Sequence, residues 1–312
     1  MRQARGHRGT SWLIIALLFL SGCAGLPVER QERPKARPSV TQPIIPTSEA
    51  SARLRTYLAS VERAQLARGL LRRDGGGPDT PIRADLLKRN FEQIAFFDEY
   101  RRLDTVPPDA QRLRRWDSPV RIRTIFGPSV PPSQREKDKA NVAAYSERLA
   151  RVTNHPITTR GMANFLVYFV SEDDRVQTIQ ETASAALGVD EAALAPILDL
   201  DERIYCAVIT FSSPRKPSTY RAAIAVIRAE NPNLLRLSCI HEELAQGLGL
   251  ANDSPEARPS IFNDDDEFAL LTSHDELLLR FLYDPRLKTG IRLDEADPIL
   301  TALAQEAPGV LP

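Results

Sequence analysis

The sequence predicts an α+β fold, on three observations. Runs of alternating or continuous β-branched and aromatic residues recur at 120–125, 164–170, 205–211 and 220–227. Stretches with apolar residues at helical spacing lie around them, at 51–73, 80–97, 134–152, 182–198 and 234–250. The two kinds are interleaved along 312 residues, enough for one sizeable core or two small ones. Strands flanked by helices in this order imply a single mixed sheet. The sequence contains no internal repeat.

The first element is an export signal. Arg2, Arg5 and Arg8 precede an unbroken apolar run over 12–20, and Leu20-Ser21-Gly22-Cys23 follows. So short a run cannot cross a ~30 Å hydrocarbon core as a helix, which makes residues 1–22 a signal peptide. Leu20 to Cys23 resembles the lipobox of bacterial lipoproteins. The resemblance implies cleavage before Cys23 and lipidation of that cysteine. Several acyl chains, at about 0.8 kcal/mol per buried methylene, would then hold the chain at a membrane. Ala24 follows the cysteine where aspartate would signal inner-membrane retention, so by resemblance to enterobacterial sorting the outer membrane is favoured. The expected location is the cell envelope, facing the periplasm.

From 23 to 50 the chain carries Pro27, Pro34, Pro38, Pro43 and Pro46 among charged and small residues. Proline fixes φ and removes a donor, so an extended tether is expected. A helical N-terminal segment, 51–106, comes next. Leu54, Leu58, Val61 and Leu66 mark its first helix, which Asp74-Gly75-Gly76-Gly77-Pro78 ends; Thr80-Pro81 suits the start of a second, carrying Leu86, Leu87, Phe91, Ile94 and Phe97. The pair reads as a hairpin-like appendage. The main body spans 107–290, and 291–312 reads as a C-terminal tail.

Composition narrows the partners. Without Arg2, Arg5 and Arg8 the chain has 38 basic against 41 acidic side chains, which gives no electrostatic reason to bind nucleic acid. Cys206 and Cys239 are the only cysteines beyond Cys23. Two thiols in an exported domain suit one disulfide, and both lie on segments expected side by side.

Residues 234–250, LLRLSCIHEELAQGLGL, place Leu237, Ile240, Leu244 and Leu248 on one helical face. His241-Glu242 opens like the zincin motif H-E-x-x-H, in which histidines one turn apart share a zinc and the glutamate activates its water. Position 245, however, is Ala245. Shifting the frame by one matches H-E-x-x-H-x-x-G better: Glu242 stands at the first ligand, Glu243 at the general base, Gln246 at the second ligand and Gly249 at the glycine. Asn252 or Asp253 falls near the third ligand. Ser260-Ile261-Phe262-Asn263 resembles the turn beneath the metal in metzincins, with Phe262 for methionine. Leu271-Thr272-Ser273-His274-Asp275 with Leu278, Phe281, Leu282 and Tyr283 resembles the closing helix of matrixins, and Thr272 with Asp275 makes a capping box.

The chain is thereby identified with a bacterial lipoprotein domain family of unknown function grouped with zincin-like metallopeptidases of metzincin and matrixin type. The resemblance covers about 114–290, most specifically 238–283. It implies a zincin-like mixed sheet with an active-site-type helix and a closing helix. The departures imply a pseudo-metallopeptidase without a cofactor, because Glu242 and Gln246 offer zinc only oxygen or a neutral amide. The expected function is then binding of a peptide or envelope protein partner along a sheet edge. The alternative is an active metallopeptidase with an oxygen-rich site for zinc or another divalent metal, Glu243 as base, and His241, Glu242, Gln246 and Asp253 about the ion. A third outcome is a groove filled by the chain's own N-terminal helices. His241 otherwise reads as a structural histidine, His155 as a loop residue and His274 as a surface residue. The acidic run 263–267 lacks the glycine and spacing of an EF-hand and reads as a solvated loop rather than a calcium site. Gly75-Gly76-Gly77 lacks the lysine of a P-loop, and no Gly-x-Ser-x-Gly elbow occurs.

Overall fold

The structure, a computed structural model, describes residues 47–97, 111–263 and 265–311. The expected export signal, Cys23 and nearly all of the expected tether lie outside the described residues. Everything below belongs to one compact unit, 44–312.

The centre is a five-stranded mixed sheet. Its strands are β1 (Val120–Phe126), β2 (Ile157–Thr158), β3 (Phe165–Val170), β4 (Cys206–Ser213) and β5 (Lys216–Arg228), in the order β2-β1-β3-β5-β4. The first four in that order are parallel, and β4 runs antiparallel to β5 at the edge. Every residue of β3, Phe-Leu-Val-Tyr-Phe-Val, is buried. Its alternate side chains explain why: Phe165, Val167 and Phe169 enter one hydrophobic cluster, while Leu166, Tyr168 and Val170 enter another on the opposite face. A continuous apolar run is what a strand covered on both faces requires.

Helices cover both faces. The chain carries α1 (Glu49–Ala67), α2 (Ala84–Phe96), α3 (Pro132–Thr153), α4 (Arg175–Leu187), the short α5 (Ala195–Leu198), α6 (Asn233–Gln246), α7 (Ser273–Leu282) and α8 (Leu293–Glu306). Helix α6 lies over the sheet face that presents Ala223 and Ala225 of β5, small side chains that admit a close helix. Its first turn has Pro232 at the N-cap and no capping side chain of its own. Instead, Glu62 of α1 accepts from the Leu234 and Leu235 amides at 3.1 and 3.0 Å, matching a carboxylate to a helix N-terminus. Arg236 then forms a buried, doubly hydrogen-bonded pair with Asp138 of α3 at 2.8 Å.

Several expectations change. The stretch 182–198 is not one helix: α4 begins earlier and stops at Gly188, whose φ of +60° takes the left-handed cap, and α5 follows a 3-10 turn that Asp190 caps. The second N-terminal helix starts at Ala84 rather than Thr80, because the Thr80 hydroxyl is tied to Gly77 in a turn. Nor do α1 and α2 make an appendage. Helix α1 docks on the start of α6, and α2 buries Leu87, Phe91, Ile94 and Phe96 in the main core against α7 and α8. The expected tail contains α8, with Ala296, Leu300, Leu303 and Ala304 buried at helical spacing. The disulfide is present: Cys206 at the start of β4 is joined to Cys239 on α6, with Cα atoms 5.9 Å apart.

Candidate functional site

The candidate site is α6 and the two segments that fold back against it. The helix ends at Gln246, four residues short of the apolar pattern; Gly247 still has helical angles, and the chain turns away at Gly249. A Cβ on Gly247 would come within 2.4 Å of the Phe165 ring, and one on Gly249, at φ +131°, within 2.4 Å of the Arg114 carbonyl. Trp116 Nε1 donates to the Gly247 carbonyl at 2.8 Å and the Tyr283 hydroxyl donates to that of Leu248 at 3.1 Å. The next segment is held from α2. Asn252 donates its backbone N–H to Ile94 O at 3.1 Å and its side-chain amide to Gln93 O at 3.0 Å.

The turn at Ser260, Ile261 and Phe262 is built on one carboxylate. Asp275, fully buried in the first turn of α7, accepts from the Ser260 hydroxyl, from the Ile261 N–H at 3.1 Å, and from the N–H and hydroxyl of Thr272 at 2.9 and 2.8 Å. The Thr272–Asp275 capping box is formed as expected. Phe262 is fully buried under it. His274 is a correction: it is 1% exposed rather than on the surface, and its Nε2 meets Asn90 Nδ2 of α2 at 3.2 Å. His274, the second residue of α7, points inward because α2 covers it there, while Ser273 before it is exposed.

His241 is used by the fold. Its ring stacks on Tyr145 with centroids 4.0 Å apart, and its Nδ1 accepts from the Leu271 N–H at 3.0 Å. Tyr145 in turn donates its hydroxyl to the His241 carbonyl at 2.8 Å. Burial, with Arg148 nearby, lowers the His241 pKa to about 3, so the ring is neutral at physiological pH. Glu243 and Gln246 are 3% and 5% exposed, Glu242 and Asp253 half-buried. The zinc that the motif resemblance implies does not fit this set. One imidazole nitrogen is already bonded to backbone, and the second ligand position holds a neutral amide.

A different trio does converge. Cys206, Glu242 and Glu243 bring one ligand atom each within 4.8 Å of one another where β4 meets α6. The Cys206 sulfur is in the disulfide and carries no thiolate charge. This grouping was illegible beforehand, since it needs the β4–β5 register and the bridge together.

The remaining candidates resolve by pairing. Glu267 lies between Arg72 at 2.9 Å and Arg258 at 2.6 Å, and Asp266 accepts from Gln65, so these two acids of the run face basic and amide groups. His155 sits in the loop after α3 with Nε2 against the Ser118 carbonyl at 2.9 Å.

The family described as Protein of unknown function (DUF2927) matches residues 84–302, well over half of the chain. Neither a curated protein nor a solved structure matches it.

Proposed function

We propose, for a chain that belongs to the DUF2927 family, a non-catalytic binding role in the cell envelope, anchored through lipid on Cys23. In this reading the domain is zincin-like in architecture, but the helix that would hold zinc is a core element. The observation that carries it is the engagement of His241: stacked on Tyr145, bonded to the Leu271 amide and held neutral, it has been absorbed into packing. The mixed sheet, the glycine turn after α6 and the capped closing helix over Ser260–Phe262 support the architectural part.

The binding surface in this reading is the free side of β4. That strand pairs only with β5 among the described strands, and its residues from Val208 to Ser213 are half-buried. An edge strand presents backbone donors and acceptors to an added strand, and the flanking side chains give selectivity. An extended segment of an envelope protein is the partner this edge suits.

Two measurements test the reading on the full chain. Elemental mass spectrometry of the oxidised protein after exposure to zinc should find no stoichiometric metal. A photo-crosslinking residue at Thr210 on β4 should yield discrete protein adducts in intact cells, whereas one at exposed Lys139 on α3 should not. One zinc per chain, with hydrolysis of a peptide substrate lost on Glu243→Ala, would overturn the non-catalytic role. Equal crosslinking from both positions would overturn the assignment of β4.

A further inference from the structure

We infer that reducing the Cys206–Cys239 disulfide turns the junction of β4 and α6 into a site for a soft divalent transition-metal cation of the zinc class. The ligands are the two thiolates and the carboxylates of Glu242 and Glu243. The site is separate from the histidine pattern of the motif, uses sulfur that the pattern lacks, and concerns the reduced chain, so it stands apart from the binding role above.

The geometry comes first. Cys206 Sγ and one oxygen from each of Glu242 and Glu243 already lie within 4.8 Å of one another. Ligands sharing one zinc, at about 2.3 Å for sulfur and about 2.0–2.2 Å for oxygen, stand within roughly 4.5 Å of each other. The approach needed is small, and opening the S–S bond frees Cys206 and Cys239 to make it. Their Cα atoms, 5.9 Å apart, are pinned on two packed elements, so both sulfurs remain at this corner after reduction. Access differs in a useful way: Cys206 and Glu242 are half-buried, while Cys239 and Glu243 form the floor at 2% and 3% exposure.

A second observation points to sulfur chemistry here. Asn231 is 1% exposed and donates Nδ2–H to the Tyr205 carbonyl at 3.0 Å and to Cys239 Sγ at 3.7 Å. Its Oδ1 is buried without a hydrogen-bond partner among the described residues. An amide donor held on a cysteine sulfur is the outer contact that orients and stabilises a metal-bound thiolate.

The chemistry balances with a dithiol as reductant. Two electrons and two protons pass from the dithiol, which becomes a disulfide, to the Cys206–Cys239 bond, giving two thiols. The cation then replaces both thiol protons, which leave to solvent, and the carboxylates complete four-coordination. In the oxidised chain the sulfurs are uncharged and poor ligands, so the site is closed.

The test uses the purified full chain, reduced with excess dithiol, freed of reductant without oxygen, and titrated with cobalt(II). The expected result is a saturable thiolate-to-cobalt absorption at one ion per chain, displaced by zinc, with the near-ultraviolet circular dichroism retained. The oxidised chain should show none. Glu242→Gln, at a half-buried position, should weaken binding at least about tenfold, and Asn231→Ala about tenfold. Absence of the band, an equal affinity in Glu242→Gln, or loss of the near-ultraviolet signal on reduction would each overturn the proposal.

Discussion

His241 shows how one residue can be read from sequence and still change meaning in the fold. Its lack of a partner at position 245 was visible at once, and it argued against a zinc pair. What the sequence did not carry was the Tyr145 ring, 96 positions away, or the Leu271 amide that bonds Nδ1. Because the folded-state pKa is about 3 and an unfolded histidine titrates near 6.5, the unfolded chain binds the extra proton between those values. The contribution of neutral His241 is therefore complete above pH 6.5 and is lost as pH falls toward 3, at about 1.4 kcal/mol per pH unit. Urea denaturation at pH 7, 6, 5 and 4 should show this slope on top of the carboxylate background. His241→Asn, which does not titrate but keeps an acceptor, should flatten it by that amount. An unchanged slope would mean the ring is protonated in the fold. His274 was misjudged for a related reason: a cap position is commonly exposed, and only the packing of α2 on α7 buries it.

At the scale of elements, α6 is held by groups from several other parts of the chain. The Arg236–Asp138 pair fixes it to α3, with side chains 5% and 1% exposed. Desolvation holds the Asp138 carboxyl above the usual range despite its partner, so the pair is expensive to break and modest in net worth. Arg236→Met alone should cost about 3–5 kcal/mol in chemical denaturation, because it strands a buried carboxylate. Adding Asp138→Leu should recover most of that loss; a double variant no more stable than the single would contradict this account. The disulfide ties α6 to β4 across 33 residues, and serine at both positions should lower stability by about 3–4 kcal/mol through loop entropy. Four of the five described strands were legible, β1 from its alternation and the others from apolar runs, while the two-residue β2 carries no pattern to read. Element ends were harder to read. The end of α6 depends on what meets Gly247 and Gly249, and the start of α2 depends on how Thr80 bonds Gly77. The Cys206–Glu242–Glu243 grouping was hidden for the same reason, since it exists only where two elements meet.

Across the whole molecule, a single mixed sheet follows from the sequence pattern, while its strand order, the docking of α1 and α2 on the body, and the helix within the expected tail had to be seen. Helix α8 was hidden by Pro298 and an acidic first half, although Ala296, Leu300, Leu303 and Ala304 recur at helical spacing. It packs on α2, whose Phe91 ring meets Phe281 of α7 at 5.8 Å, so the two chain ends close one flank together. Helix α1 plays a more local part through Glu62 and the small cluster of Leu71, Leu235 and Ala269. The two ends should therefore respond differently to removal. Ending the chain after Arg292 uncovers Leu87, Phe91 and the partners of Leu300 and Leu303, each worth about 1.5–3 kcal/mol when buried. The total rivals the 5–15 kcal/mol that separates folded from unfolded domains. That variant should lose cooperative thermal unfolding. Glu62→Ala removes one helix cap, worth about 0.5–2 kcal/mol. It should leave unfolding cooperative while speeding amide exchange at Leu234 and Leu235 and sparing β3. A chain ended at 292 that still melts cooperatively at the original temperature would make α8 an ornament and restore the reading of that region as a tail.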